Sequence, residues 1–203
     1  MNIRKAIFQL RRVRNKLSCY YNLFKFRLYG IKYGRNCIVH GHVGLKLSSN
    51  SAISIGDDFY MSSGNHMNPL ARNLEAHICV NKGAKLIIGN HVGMSSPVLR
   101  AHKSIVIGNN VKFGANVTIM DSDAHSMNYL YRRNLSVDMA HKADAEVVIE
   151  DDVFIGMNTI ILKGVTIGAR SVIGAGSVVV KSIPSDCIAA GNPAKVIKYL
   201  NNE

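Results

Sequence analysis

The chain has 203 residues, 47% of them hydrophobic, with no Trp and a formal net charge of +12. That suffices for one sizeable domain and a short appendage, while apolar stretches broken by Lys or Arg argue against a transmembrane helix or a secretory signal. Cys19, Cys37, Cys79 and Cys187 form no CxxC pair, so neither a zinc knuckle nor a disulfide scaffold is expected, and the plain reading is a cytoplasmic protein with reduced thiols.

Residues 1–56 contain eleven Lys or Arg and no Asp or Glu, whereas the remainder is close to balance. The body is therefore no polycation built to wrap nucleic acid, and the basic segment needs its own explanation. Within residues 1–30, Ile3, Ile7, Leu10, Leu17, Tyr21, Phe24 and Leu28 recur at spacings of three, four or seven. That stripe predicts one or two basic amphipathic helices ending near Gly30. Such a segment either packs on the end of the main domain or on a neighbouring subunit, or attaches residues 1–28 to an anionic membrane surface.

From about Ile31 a six-residue period appears, first raggedly at Ile55, Ile88 and Ile107, with residues 60–77 expected to be a loop or a distorted coil around Gly64 and Pro69. It becomes strict at Ile149, Ile155, Ile161, Ile167, Ile173 and Val179. Neither a helix (period 3.6) nor a flat sheet (period 2) gives a period of 6; short strands meeting at three corners of a stacked β-solenoid do. Val153, Thr159, Val165, Ser171 and Ser177 supply the small or β-branched second inward position, and Gly156, Gly168 and Gly174 follow the anchors where corners favour easy backbone geometry.

Residues 121–146 break the hexads without losing their phase, which predicts an excursion loop from one corner. It carries the most suggestive polar cluster, DSDAHSMNYLYRRN, residues 121–134. After Val179 the pattern stops, and residues 194–200 are expected to form a short capping helix beyond Gly191 and Pro193. The expected division is a helical segment 1–30, a solenoid domain 31–190 and a C-terminal cap and tail 191–203.

The hexads, the DSDAH loop and the IPSDCIAAGNPAKVI ending together resemble the hexapeptide-repeat acyltransferases, in particular the maltose/galactoside O-acetyltransferase branch and the O-acetyltransferases of bacterial surface polysaccharides. The resemblance covers about residues 31–200. It implies a left-handed parallel β-helix, a homotrimer with active sites between subunits, acetyl-CoA as co-substrate, and a sugar or polysaccharide hydroxyl as acceptor. In that family the His of the loop is the general base for direct attack, a role implied here for His125. Imidazole, with an ordinary pKa of about 6.5, suits proton removal near neutral pH. Asp121 or Asp123 is the expected partner of Nδ1, although Asp121 also reads as a simple turn cap.

On the same resemblance, Met157 and Gly174, Ala175 and Gly176 line the pantetheine arm, Val180 and Lys181 meet the region beyond it, and Lys195 and Lys198 serve the nucleotide phosphates. The acceptor side is expected around Ser95 and Ser96, where the family carries an Asn, with Arg132 or Arg133 contacting the sugar. The remaining histidines, His40, His42, His66, His77, His91, His102 and His141, have no metal-binding spacing, so no metal is expected. N-acetylation of an amino sugar or an antibiotic on the same fold, and a catalytically silent assembly protein, are the alternatives.

Overall fold

The computed structural model describes residues 3–64 and 67–200; His66 and the last three residues of the expected tail lie outside the described residues. Among the described residues twenty short strands are sorted into three sheets, and as far as Val178–Val179 successive strands of the chain fall in successive sheets. In the regular part Thr166–Ile167 belongs to the first sheet, Val172–Ile173 to the second and Val178–Val179 to the third. Ladders are parallel, with Ile149 beside Ile167 and Ile161 beside Val179. One hexad is thus one side of a three-sided prism, and eighteen residues make a turn.

The hexad anchors are all fully buried, as are Thr159, Ser171 and Ser177. Their hydroxyls reach carbonyls at the corners: Thr159 donates to Gly156 at 2.8 Å, Ser171 to Pro184 at 2.7 Å and Ser177 to Gly174 at 2.6 Å. Buried hydroxyls without such partners would each cost about 1–3 kcal/mol. The corner glycines have a different cause from the one the sequence suggests. Positive φ falls two residues later, at Asp152, Asn158, Gly164, Arg170 and Gly176, again one hexad apart. Gly156 is small because coils stack there: a Cβ would stand 2.4 Å from the backbone nitrogen of Ala175.

One expectation about the ends is corrected. Residues Ala194–Tyr199 are a strand, not a helix, and pair antiparallel with Cys187–Gly191. The second sheet would otherwise end on the unpaired edge of Cys187–Gly191, and a returning strand satisfies it. At the other end one helix, α1 (Ile3–Leu28), covers the first coil, but not by its apolar stripe. Its contact face is Ser18, Asn22, Lys25 and Phe26: the Asn22 amide donates to the carbonyls of Val39 at 3.1 Å and Gly41 at 2.7 Å, and Lys25 donates to Val43 at 2.6 Å. Ser18 Oγ accepts from Gly41 N at 3.0 Å, and Phe26 enters the core. The stripe residues stay exposed.

The solenoid is interrupted twice. Residues 67–75, with a 3-10 turn at Pro69–Ala71, bulge where the second sheet passes into the third. Residues 121–146 leave where the third passes into the first, between strands Thr118–Met120 and Val147–Ile149.

Candidate active site

The excursion is zipped at its base. Asp123 N donates to Ala143 O at 3.0 Å, Ala145 N donates to Asp121 O at 2.9 Å, and Ser122 bridges Asp144. Asp121 is fully buried, and its carboxylate accepts three backbone N–H groups, from His102 at 2.6 Å and from Lys103 and Ser104 at 2.7 Å. It ties the preceding coil's corner to the loop root. The Asp123 carboxylate stands 3.4 Å from Lys163 Nζ. The structure therefore assigns neither of the two expected carboxylates to His125.

The carboxylate against His125 is Asp138. It lies on a second helix, α2 (Leu135–His141), whose first turn is closed by the Asn134 side chain accepting from Ser136 N and Val137 N. Asp138 Oδ2 is 2.6 Å from His125 Nδ1, and Oδ1 accepts from Ser126 N at 2.7 Å. The Asp138 side chain is 4% exposed and that of His125 61%. The hydrogen bond from His125, then that from the Ser126 amide, hold the Asp138 carboxyl below its ordinary value. An ionised carboxylate can only accept, so Nδ1 carries the proton and the lone pair of Nε2 is left for another group. The dyad presents a base to solvent from a rigid mount.

Arg132 and Arg133, expected near the acceptor, both serve the loop. Arg132 donates to the carbonyls of Ser126 at 2.6 Å and Met127 at 3.0 Å, fixing the segment that follows His125. The Arg133 guanidinium lies over the Tyr129 ring, 5.5 Å from its centroid.

A cleft of about 410 Å³ runs over the outer face of the third sheet. His77, Val98, Thr118 and Ile160 are register neighbours along its floor, and Leu74 and Glu75 of the 67–75 bulge form one wall. At the corner stand Ser96, Asn116 and Asn158, each with positive φ. Ser96 is 2% exposed and its hydroxyl has no partner, and Asn116 Oδ1 is likewise unpartnered. Ser95, by contrast, is committed: its hydroxyl accepts from Asn68 at 2.9 Å and from Ser62 at 3.1 Å.

A family described as Bacterial transferase hexapeptide (six repeats) matches residues 146–181. A galactoside O-acetyltransferase of Lactococcus lactis is 41% identical over 98 residues, 48% of this chain and 44% of that protein. A hexapeptide-repeat-containing acetyltransferase from Vibrio cholerae has the same fold with a TM-score of 0.54 at 26% identity, covering 91% of this chain and 82% of that one. Residues 146–181 are thus a hexapeptide-repeat segment, and the chain is similar to proteins named acetyltransferases. A galactoside acetyltransferase solved in complex with coenzyme A is also similar, at 26% identity and a TM-score of 0.52 over 84% of this chain and 65% of that one. The chain spans about half the length of the curated relatives it matches.

In this hexapeptide-repeat chain the other expected residues fall in three places. Met157, Ala175 and Gly176 continue the Ser96–Asn116–Asn158 corner, with Gly176 N donating to Met157 O at 2.8 Å and Gly174 just before them. Val180 and Lys181 follow strand Val178–Val179, at the corner from which the His125 loop departs in an earlier coil. Lys195 and Lys198 stand on the C-terminal strand, opposite Ala190 and Ile188. Among the described residues no three His, Cys, Asp or Glu side chains gather as a metal site. Sequence reasoning missed Asp138 altogether; the Asn134 cap was the available signal that a helix follows.

Proposed function

We propose that the protein is an acetyl-CoA-dependent O-acetyltransferase acting on a sugar hydroxyl of a surface polysaccharide or its precursor. The observation that carries this is the His125–Asp138 pair, a solvent-facing imidazole with Nδ1 held by a buried carboxylate, on a chain whose relatives are named acetyltransferases. Nε2 of His125 removes the proton of the acceptor hydroxyl as its oxygen attacks the thioester carbonyl. The tetrahedral adduct collapses, the C–S bond breaks, and the imidazolium returns its proton to the departing thiolate. Asp138 keeps the tautomer and stabilises the imidazolium between the two steps.

The galactoside acetyltransferase neighbour binds coenzyme A, and we assign the donor to the Met157, Gly174, Ala175 and Gly176 corner. Small residues there admit a pantetheine arm, with Val180 and Lys181 beyond it and Lys195 and Lys198 as phosphate partners. Ser96, buried with an unpartnered hydroxyl beside the cleft, is the acceptor-side contact.

Cleft corner and His125 loop lie at opposite edges of the third sheet. This supports assembly as a homotrimer, in which the loop of one subunit completes the cleft of the next, while the left hand of the solenoid rests on the hexapeptide-repeat likeness. The reaction runs in the cytoplasm. Incubation with acetyl-CoA and a panel of mono- and oligosaccharides, read by thiol release, tests the proposal. Acceptor-dependent release that His125→Ala abolishes while coenzyme A still binds is expected; equal turnover by the two proteins overturns it.

A further inference from the structure

Helix α1 has two functional faces, and only one is used inside the chain. At 100° per residue, Ser18, Asn22 and Phe26 point one way, into the first coil. Ile3, Leu10, Leu17, Tyr21, Phe24 and Leu28 form a second face about 120° round the helix from it, and all are exposed. The buried residues of α1 are confined to Asn22 and Phe26, so the turns before Ser18 bury no side chain, with Arg14 reaching Met67 Sδ at 3.7 Å. No soluble contact made by the described residues explains an apolar ridge running the length of this helix.

Charge selects what covers it. α1 holds Arg4, Lys5, Arg11, Arg12, Arg14, Lys16, Lys25 and Arg27 and no Asp or Glu. Arg14 and Arg11 flank the ridge on one side, Lys16 and Arg27 on the other, and Arg12 lies behind it. A second copy docking ridge to ridge would bring two such cation sets together with no acid between them. An anionic bilayer accepts both features: the ridge sinks among the acyl chains while long basic side chains reach back to the headgroup phosphates. We infer that α1 is an interfacial membrane helix, bolted to the solenoid by Asn22 and Phe26 and laid with its outer ridge in a leaflet of anionic phospholipid. The fixed Asn22 and Phe26 contacts turn the first coil's end toward the membrane. No helix of the described residues is long and apolar enough to cross a membrane, so the contact is peripheral.

This inference does not depend on the catalytic proposal, since vesicle binding reads no acetyl transfer. The full chain is floated on density gradients with vesicles of phosphatidylglycerol in phosphatidylcholine, and with phosphatidylcholine alone. Binding to the anionic vesicles is expected to exceed that to the neutral ones by at least about tenfold and to fall with added salt. Leu10→Glu with Leu17→Glu alters only the outer ridge, leaves the Asn22 and Phe26 contacts intact, and should abolish flotation with an unchanged circular dichroism spectrum. Arg11→Glu with Arg12→Glu should remove the anionic preference. Failure of the parent chain to float, equal flotation by the ridge variant, or a self-association that the ridge variant alone dissolves overturns the inference.

Discussion

Asp138 Oδ2 lies 2.6 Å from His125 Nδ1 although thirteen residues separate them, and the same carboxylate holds Ser126 N at 2.7 Å. Asp138 is a positioning residue in this geometry. Asp138→Asn keeps the shape but offers an amide where the carboxylate accepted, which favours the wrong tautomer and leaves the imidazolium uncompensated. We expect kcat to fall about 10²–10⁴-fold with little change in KM for acetyl-CoA. In a His125→Ala background the second change should cost almost nothing more. Steady-state thiol release on the four proteins measures the coupling.

The position of His125 was legible because periodicity fails around it: a solenoid that resumes in phase after residues 121–146 has put out a loop, and the loop's His stands apart from the hexads. Asp138 was not legible. Asp121 and Asp123 are nearer in sequence, yet strand direction at the loop root sends one into a buried corner and the other toward Lys163. The C-terminal segment misled for a related reason. Gly191 and Pro193 suit a turn into a helix, but a strand edge needing partners decided the outcome. The stripe on α1 gave the helix and hid its orientation, since an amphipathic pattern reports two faces and not which neighbour each meets.

Asp121 is expected to matter for stability rather than for turnover. Its carboxylate closes three backbone N–H groups at the root of the excursion, from His102, Lys103 and Ser104. Asp121→Ala leaves those donors short of a charged acceptor in a buried setting, a loss of about 2–4 kcal/mol. Urea denaturation should show a lower midpoint with the slope retained. Where folded protein persists, kcat should stay far closer to the parent's than in Asp138→Asn.

The acid side of the stability profile should register Asp138. Its folded pKa is depressed, first by the His125 hydrogen bond and then by the Ser126 amide. A depressed carboxylate contributes stability above its unfolded value, about 3.9, and that contribution is lost as pH falls through the folded value. The Ser126 amide should therefore keep its protection from hydrogen exchange down to about pH 4 and lose it below, ahead of amides in the Ile155–Val179 coils. In Asp138→Asn this acid step should vanish.

Coil stacking makes opposite demands on two glycines in neighbouring coils. Gly156→Ala would place a methyl 2.4 Å from Ala175 N, against backbone atoms of Gly174 and Ala175 with no flexible side chain to yield. The coils must separate locally, at a cost of about 1–3 kcal/mol. Gly176 has φ +71°, a Cβ added there would meet nothing within 4 Å, and the same corner carries Asn116 and Asn158 in that conformation. Asn tolerates the left-handed region, so Gly176→Asn should lie within about 0.5 kcal/mol of the parent. Denaturant midpoints compare the two directly.

The proposed assembly of the site across the subunits of a homotrimer has a quantitative signature. Thr118→Trp fills the cleft from a strand position while sparing the His125 loop, and His125→Ala removes the base while sparing the cleft. Each homotrimer alone should be inactive. In a mixed trimer whose loops serve the next subunit's cleft, one site in every ring combines a free cleft with an intact His125. Random assembly from equal amounts should then restore about a quarter of parental activity per subunit. Refolding the two variants together and assaying thiol release measures this. Activity that stays at the level of the separate variants would mean that His125 serves the cleft of its own chain.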